Sequence, residues 1–600
     1  MLEREPSPKS GLVYLIGFVF FGLPALIGYG AVPLTNFTAE ALCPVGLALM
    51  LIVVGLQPAR QSRFPIEPRL ALAAFGLLAL VTCGQFVMLQ HRHLDAYIVI
   101  LGYFCCAAIA VLLGYNSAGS RLAQHWFNAA AASIALAAAV ATLASVAQYF
   151  EVDARSAMIS PASDAGRTFG FFRQPNQQGT FLNMGLAALL YLHQKKRLNL
   201  GAWLALSLFV VFGIASTGSR TAMVQTAFIS LCGLALSLPH RKERFKALLP
   251  LMALAIVWLT LFLAGRFGGS EFYGAQKLNQ VMSEGIGMRS AAWHQTMIML
   301  WEQPWVGYGV LRYPSIFFLR GSGIDVGLNM SHSHNLILQL AFDFGLPVAV
   351  LFCGLIAWLI WRMRGNWSTK SGFFCAMVLG CLLIHSLVEF PLWYTYFLLP
   401  GCWFLGWFIC PKNRLQTVST PEVEQSPSPA RQPGQLTQRI FCFGVAALVL
   451  STVLWMNRDY FYITPAFAPG LSNTEFQRVE DTKKAFWFSR FSEFAQLQVS
   501  PLSVQNAPLH MQRAAALGCI MSEVWFQTAT LAVMAQTGHM DDAKWIVYII
   551  SKMTKSDMSF FRKGLADSNL PATEELIRFM DHPVPVPRSI KIFEQTCGFL

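Results

Sequence analysis

From residue 11 to residue 456 the chain alternates long, unbroken apolar runs with short polar segments, and beyond residue 456 that alternation stops. Thirteen runs can be parsed, at about 11–34, 38–57, 70–90, 96–114, 126–150, 179–193, 201–217, 221–238, 247–265, 346–362, 371–390, 394–410 and 440–456. Their apolar residues are continuous and do not alternate from one face to the other, so each run predicts a helix and not a barrel strand. Crossing roughly 30 Å of hydrocarbon takes about 20 such residues, which makes these about 13 membrane spans. The sixth run is short and fits a tilted or partly re-entrant segment. The first, "GLVYLIGFVFFGLPALIGYGAVPL" from Gly11, has no small-residue cleavage site after it and is expected to be retained as a span.

Two stretches depart from the pattern. "TVSTPEVEQSPSPARQPGQLTQR" is rich in Pro, Ser and Gln and reads as a flexible linker. Residues 457–600 are amphipathic: "SEVWFQTATLAVMAQTG" followed by "HMDDAKWIVYIISKM" predicts an antiparallel helical hairpin of the tetratricopeptide (TPR-like) kind. The expected fold is all-α, a polytopic transmembrane helix bundle. A core over 1–410 includes an outer loop at 266–345, a linker covers 411–439, a last span 440–456, and a helical tail 457–600.

Composition agrees, with 55% hydrophobic and only 12% charged residues, where a soluble domain is roughly a quarter charged. With the N-terminus inside, "PARQSRF", "HQKKR", "HRKERFK", "WRMRGNWSTK" and "PKNRLQ" all fall on the cytoplasmic side, as the positive-inside rule requires. The net charge of +13 belongs entirely to residues 1–456, because residues 457–600 hold 14 basic and 14 acidic side chains. A charge excess explained by topology is no footprint for nucleic acid. Eleven of the 13 cysteines lie in or beside apolar runs and read as small packing residues. Cys519 and Cys597 stand apart in the polar tail, where one disulfide can form.

The same topology gathers the polar motifs on the outer face: "GRTFGFFRQPNQQGTF" (Gly166 to Phe181), "STGSRTAM" around Arg220, the 266–345 loop with "GMRSAAW" and "NMSHSHN", and "HSLVEFPLWYTYF" (His385 to Phe397). Each has an ordinary reading. Arg220 can snorkel, Arg173 and Arg289 can be solvated loop charges, Phe390 to Tyr396 can be an interfacial aromatic belt, and His385 can satisfy Glu389 one turn on. His332 and His334 lack the third and fourth donors of a metal site, since Asp343 begins no ligand motif, and no metal or other cofactor is expected. Taken together, the residues fit another chemistry. Arginines bind pyrophosphate oxygens bidentately, a neutral imidazole can take a hydroxyl proton, and Gln174, Asn176 and Asn335 can orient sugar or acceptor hydroxyls. The combination fits glycosyl transfer from a lipid pyrophosphate.

"HSHNLILQLAFDFG" resembles the signature of the O-antigen ligase and polymerase (Wzy) superfamily, and "WEQPWVGYGV" resembles its Pro-x-x-Gly-x-Gly approach to the same helix. "RQPNQQGTF" and "HSLVEFPLWYTYF" are similar to motifs of bacterial PglL-type protein O-oligosaccharyltransferases, which glycosylate pilins and other exported proteins. The resemblance implies a GT-C-like bundle in the bacterial inner membrane, with the loop and tail periplasmic. It also implies an undecaprenyl-pyrophosphate-linked oligosaccharide donor, an exported, pilin-like acceptor protein and no cofactor. Residue by residue it implies His334 as catalytic base, Arg220 and Arg289 on the pyrophosphate, and Gln174 and Tyr394 as residues needed for activity; beside them Arg173 is expected on the pyrophosphate and Asn176, Asn335, Glu389 and His332 as positioning residues. Asp343 stands where many relatives have Glu nearby, and is left outside the expected site. An O-antigen ligase acting on lipid A core and a Wzy-like polymerase share the same chemistry. A lipid-linked glycan transporter belongs to another class and should spread polar groups along a path through the bilayer, not on one face.

Overall fold

Most of the apolar runs fold as helices, the geometry in which a backbone in hydrocarbon satisfies its own N–H and C=O groups; the first, expected as one span over 11–34, is helical only over Pro8–Phe21 and Leu23–Leu26 and leaves the helix over 27–36, where Gly28, Gly30 and Pro33 disfavour it. The computed structural model describes residues 8–57, 66–88, 93–120, 122–150, 152, 167–237, 248–257, 259, 273–326, 329–411, 435–467, 475–554 and 558–597. Among them every regular element is helical. The linker expected at 411–439 falls largely outside the described residues, as does the second half of the ninth expected span.

Helices α1 (Pro8–Phe21), α2 (Phe37–Leu56), α3 (Ile66–Met88), α4 (Leu94–Ala118), α5 (Ala123–Tyr149), α6 (Pro175–Gln194), α7 (Leu200–Ser216), α8 (Arg220–Ser237) and α9 (Leu248–Val257) are followed by α10 (Tyr273–Glu302), α11 (Tyr313–Leu319), α12 (Gly323–Val326) and α13 (Leu336–Phe344). Then come α14 (Leu346–Arg362), α15 (Lys370–Ser386), α16 (Thr395–Phe408) and α17 (Gln435–Ile463). The tail comprises α18 (Glu475–Thr482), α19 (Ser489–Val499), α20 (Ala507–Gly518), α21 (Thr528–Gln536), α22 (Met540–Thr554), α23 (Ser559–Ala566), α24 (Thr573–Asp581) and α25 (Lys591–Cys597). Among the described residues α2, α3, α4, α5 and the helical stretch Gln435–Phe467 are long and apolar enough to cross a bilayer, and α7, α9, α14 and α15 are shorter apolar helices.

The chain forms two compact units. The first comprises Met1–Phe75, Tyr103–Glu284 and Gly354–Trp455. Its central helix is α6, packed by α5, α7, α8 and α15. The α5 side is alanine-rich, with Ala130, Ala131, Ala137, Ala138 and Ala141 fully buried. Gln178 of α6 donates to the Ala141 carbonyl and to Ser145 Oγ on that side, at 3.0 Å each, whereas Thr180 and Asn183 find partners on α8 and α15. Thr180 Oγ1 lies 2.9 Å from His385 Nδ1 and accepts from Gln225 Nε2 at 2.9 Å, while Gln225 Nε2 also reaches the Cys381 carbonyl at 2.8 Å. Asn183 Nδ2 donates to the Ala222 carbonyl (3.0 Å), and Thr226 Oγ1 donates to Asn183 Oδ1 (2.8 Å). In an apolar surrounding an unpaired amide is costly, so this network sets the rotation of α6 and with it the direction of everything at its N-terminus.

The second unit comprises Gly76–Gly102, Gly285–Cys353 and Met456–Leu600, so the second half of the long loop folds together with the tail. Trp545 Nε1 donates to the Leu319 carbonyl (2.8 Å), Asn329 Nδ2 to Ser522 Oγ (2.6 Å), and Phe318 packs on Phe526 at 4.5 Å between ring centroids. Arg312 is fully buried, donating to the Tyr308 carbonyl (3.3 Å) and to the Cys597 carbonyl (2.5 Å). Burial lowers its pKa to about 10, which still leaves it cationic at neutral pH. Cys597 is itself fixed by a disulfide to Cys519, 78 residues earlier, with Cα atoms 5.8 Å apart. The hairpin expected in the tail is the packed pair α21 and α22. Asp95 ties the N-terminus of α4 to the tail, accepting from the Ser489 backbone N–H (2.8 Å) and from its hydroxyl (2.6 Å).

Candidate active site

The expected site residues fall in both units. In the first they collect at the N-terminus of α6. Arg173 adopts φ 57°, a left-handed conformation that few non-glycine residues occupy. The bend sends its guanidinium to the carbonyls of Gly28 and Gly30, at 3.1 Å each. Gln174 is extended and caps the helix, its Oε1 accepting from Gln177 N at 2.8 Å, and Pro175 follows at the first helical position, where no N–H is needed.

Asn176 is buried and uses both ends of its amide. Its Nδ2 donates to Glu389 Oε1 (3.1 Å), and its Oδ1 accepts from the Ser219 hydroxyl (2.7 Å). Ser219 Oγ also accepts from Ala222 N (3.1 Å), capping α8, whose first residue is Arg220. Ser219 thus connects the cap beneath Arg220 to the buried Glu389 carboxylate. Asn176 acts here as the holder of that carboxylate. Gln177 Oε1 accepts from Tyr396 OH (2.8 Å), and Tyr394 stacks on Tyr396 at 5.2 Å and tilts against Phe390 at 5.6 Å.

Ser219→Ala is expected to lower transfer about 3- to 10-fold, the worth of one neutral hydrogen bond of roughly 0.5–1.5 kcal/mol. Ser219→Thr should restore most of it, because the hydroxyl is what caps and donates. The loss should appear in kcat together with a modest fall in the thermal midpoint from the lost cap, about 0.5–2 kcal/mol, and an equal loss of kcat in the Thr variant would mean that the hydroxyl is not what matters at this position.

In the second unit, His332 and His334 lie with ring centroids 4.0 Å apart. His332 is buried and its Nδ1 is 2.7 Å from Ser331 Oγ, while His334 is half-buried. His334 adopts φ 54°, a conformation costing about 1–3 kcal/mol that persists only where its surroundings impose it. Those surroundings are explicit. Asn335 is extended and its Oδ1 accepts from Ile337 N (3.0 Å) and Leu338 N (3.1 Å), starting α13. Ser333 Oγ donates to the Asn335 carbonyl (2.9 Å), and Ser333 N donates to Gln339 Oε1 (2.9 Å). Gln339 Nε2 in turn donates to Asp343 Oδ1 (3.0 Å).

The far end of α13 is gripped by the "WEQPWVGYGV" turn. Tyr308 N donates to the Phe342 carbonyl (2.7 Å), Gly309 N to the Asp343 carbonyl (3.2 Å), and Leu346 N to the Pro304 carbonyl (2.8 Å). Gln85 of α3 donates to the same Asp343 carbonyl at 2.6 Å. Gly307 (φ 71°) and Gly345 (φ 82°) are required: a Cβ there would sit 2.5 Å from the Phe342 carbonyl oxygen and 2.2 Å from that of Trp305. Phe342, fully buried between Tyr308 and Tyr313, adds roughly 1.5–3 kcal/mol of burial. Arg289, expected on the pyrophosphate, lies on α10 within the 266–345 stretch and is half-buried.

Asp343 is enclosed, and burial pushes its carboxyl well above the usual range despite the Gln339 contact. A raised carboxyl favours folding below the ordinary carboxylate range and loses that contribution as pH rises towards the folded-state value. Asp343→Asn is therefore expected to keep transfer activity and to gain thermal stability relative to the parent as pH rises. Gln339→Leu removes the acceptor of Ser333 N and should lower kcat, with melting curves at pH 5 and pH 8 separating the two effects.

Ser219, Gln177 and Gln339 have no role in the sequence reading, and Tyr396 enters it only as an aromatic-belt residue. Ser219 carried the usual N-cap signal, a serine directly before an apolar run, and Gln339 stands one turn before Asp343. The partners of Gln177 and Tyr396 left no local trace.

Helical throughout its described residues and apolar, with a capped His-Asn turn and helix-borne arginines, the protein is similar to membrane-bound transferases of O-antigen ligase type. Residues 204–353 match the O-Antigen ligase family, residues 373–548 the family described as Virulence factor membrane-bound polymerase, C-terminal, and residues 169–193 the Protein glycosylation ligase family. The chain is thus similar to PglL-type transferases of the O-antigen ligase superfamily. It is 26% identical over 463 residues to the General O-oligosaccharyltransferase of Acinetobacter baylyi, covering 75% of this chain and 76% of that relative. It is also 26% identical over 262 residues to the ComP-specific O-oligosaccharyltransferase of the same organism, covering 42% of this chain and 46% of that protein.

Proposed function

We propose that the protein transfers a preassembled oligosaccharide en bloc from undecaprenyl pyrophosphate to Ser or Thr hydroxyls of exported, pilin-like proteins, on the periplasmic face of the inner membrane. The observation that carries this reading is His334, held at φ 54° directly before the capped Asn335, within the segment that matches the O-antigen ligase family. The names of both curated relatives support oligosaccharide transfer to protein. The Cys519–Cys597 disulfide supports an oxidising compartment for the tail, in keeping with about thirteen spans and an inside N-terminus.

In this mechanism the acceptor hydroxyl gives its proton to the His334 imidazole as its oxygen attacks the anomeric carbon. The bond from that carbon to the pyrophosphate oxygen breaks, with oxocarbenium character in the transition state. Arg220 and Arg289 take up the charge that grows on the departing pyrophosphate, and Arg173 supports the same group. Glu389, held by Asn176, orients the acceptor together with Gln174, Asn335, Tyr394 and His332. The lipid pyrophosphate is itself the activated leaving group, so the reaction needs no nucleotide.

The test combines purified full-length protein, extracted lipid-linked donor and a pilin acceptor, followed by intact-mass analysis. The expected result is addition of the whole oligosaccharide in one step. A lengthened lipid-linked glycan would point to polymerase activity, glycan on lipid A core to ligase activity, and no covalent product to transport.

A further inference from the structure

The second half of α10 presents an apolar stripe outward. Met297, Ile298 and Trp301 follow one another at helical spacing on its exposed side, while Ala292, Thr296, Met299 and Leu300 are buried on the other. Thr296 Oγ1 lies 2.8 Å from Tyr313 OH, which fixes that orientation. The stripe continues past the end of the helix, where Trp305 is 77% exposed, nearly matching Trp301 at 80%. Two tryptophans this exposed are unusual on a surface facing water alone.

The stripe does not end there. The Pro304 carbonyl accepts from Leu346 N, so the Trp305 turn abuts the first residue of α14, an apolar helix. Leu346, Val350 and Leu351 on the first turns of α14 are exposed as well. Met297, Trp301 and Trp305 are therefore continuous with the outer surface of an apolar, membrane-type helix. That continuity names the occupant: the neighbour of such a helix is lipid, and tryptophan is enriched where acyl chains meet headgroups.

We propose that residues 297–306 form an interfacial membrane anchor, seated in the headgroup and acyl boundary of the leaflet where α14 begins. The anchor is independent of the reaction assigned above. Its consequence is positional: the turn it seats contains Gly307 to Gly309, which grip α13, so the depth of the His334 turn is set by the bilayer surface.

The test places the photo-crosslinking residue p-benzoylphenylalanine at 301 or at 305 in the full chain. The protein is reconstituted in nanodiscs of phosphatidylethanolamine and phosphatidylglycerol, irradiated and weighed intact. Leu143, exposed on α5 within a predicted span, serves as lipid-facing control, and Lys483, exposed in the tail, as water-facing control. Positions 301 and 305 are expected to gain the mass of one phospholipid, as position 143 does and position 483 does not. The proposal fails if 301 and 305 stay unmodified while 143 is labelled. It fails equally if, in native membranes, their adducts are with an exported protein or a second copy of the chain.

Discussion

Replacing His334 with Ala is expected to cut oligosaccharide transfer by about 10²- to 10⁴-fold, the range a positioned general base supplies, while expression and membrane insertion persist. His334 occupies a left-handed backbone conformation, so a substitution there changes two things at once: it removes the imidazole, and it changes the cost of holding φ 54°. Glycine adopts that φ freely, and asparagine tolerates it. His334→Gly and His334→Asn should therefore keep the turn and still be inactive, which separates lost chemistry from lost structure. Added imidazole should partly restore His334→Gly, since the half-buried site leaves room for a free base. Near-normal transfer by His334→Ala would remove the base assignment, and full activity of the Asn variant would reduce His334 to a turn residue.

The second large effect belongs to the arginines. Arg220→Ala or Arg289→Ala is expected to lower kcat with lipid-linked donor by about 10²- to 10³-fold, the usual loss when one preorganised donor to a developing anion is removed. Charge on the pyrophosphate grows as the glycosidic bond breaks, so the loss should fall on kcat more than on the KM for the acceptor protein. Lysine should recover only part of it, because an ammonium cannot form the bidentate contact. Arg220 is the more sensitive to its support: it opens α8, and Ser219 directly before it caps that helix and holds Asn176. If either Ala variant changed only acceptor KM, the residue would be contacting protein and not pyrophosphate.

Much of this architecture was legible in the chain. Most apolar runs lie where helices form, although the run expected at 11–34 is non-helical beyond Leu26, and α6, expected from 179, begins at Pro175. Hydropathy registers depth in a membrane, and Asn176 to Gln178 are too polar to count, yet they are helical because their side chains find partners. The 266–345 stretch reads as one segment between spans, and hydropathy gives no sign of α10, which runs for 30 residues within it. Its amphipathic sequence lacks the continuous apolar run that marks a span. The candidate residues themselves were found through polar groups placed where an apolar chain has little reason to keep them.

Roles inside the site were not legible. Asn176 meets Glu389 across 213 residues, and Arg312 meets the Cys597 carbonyl across 285. The grouping of the His334 turn with the tail was likewise invisible.

By itself, then, the chain determined its helices, its membrane character and the residue types available for reaction, because transfer of apolar side chains out of water is a local property that adds along a segment. Only the folded structure decided which amide holds which carboxylate, that His334 takes a strained turn, and that the tail supports the loop. Hydrogen bonds and backbone strain depend on atoms brought within about 3 Å from distant parts of the chain, and no local window contains both partners.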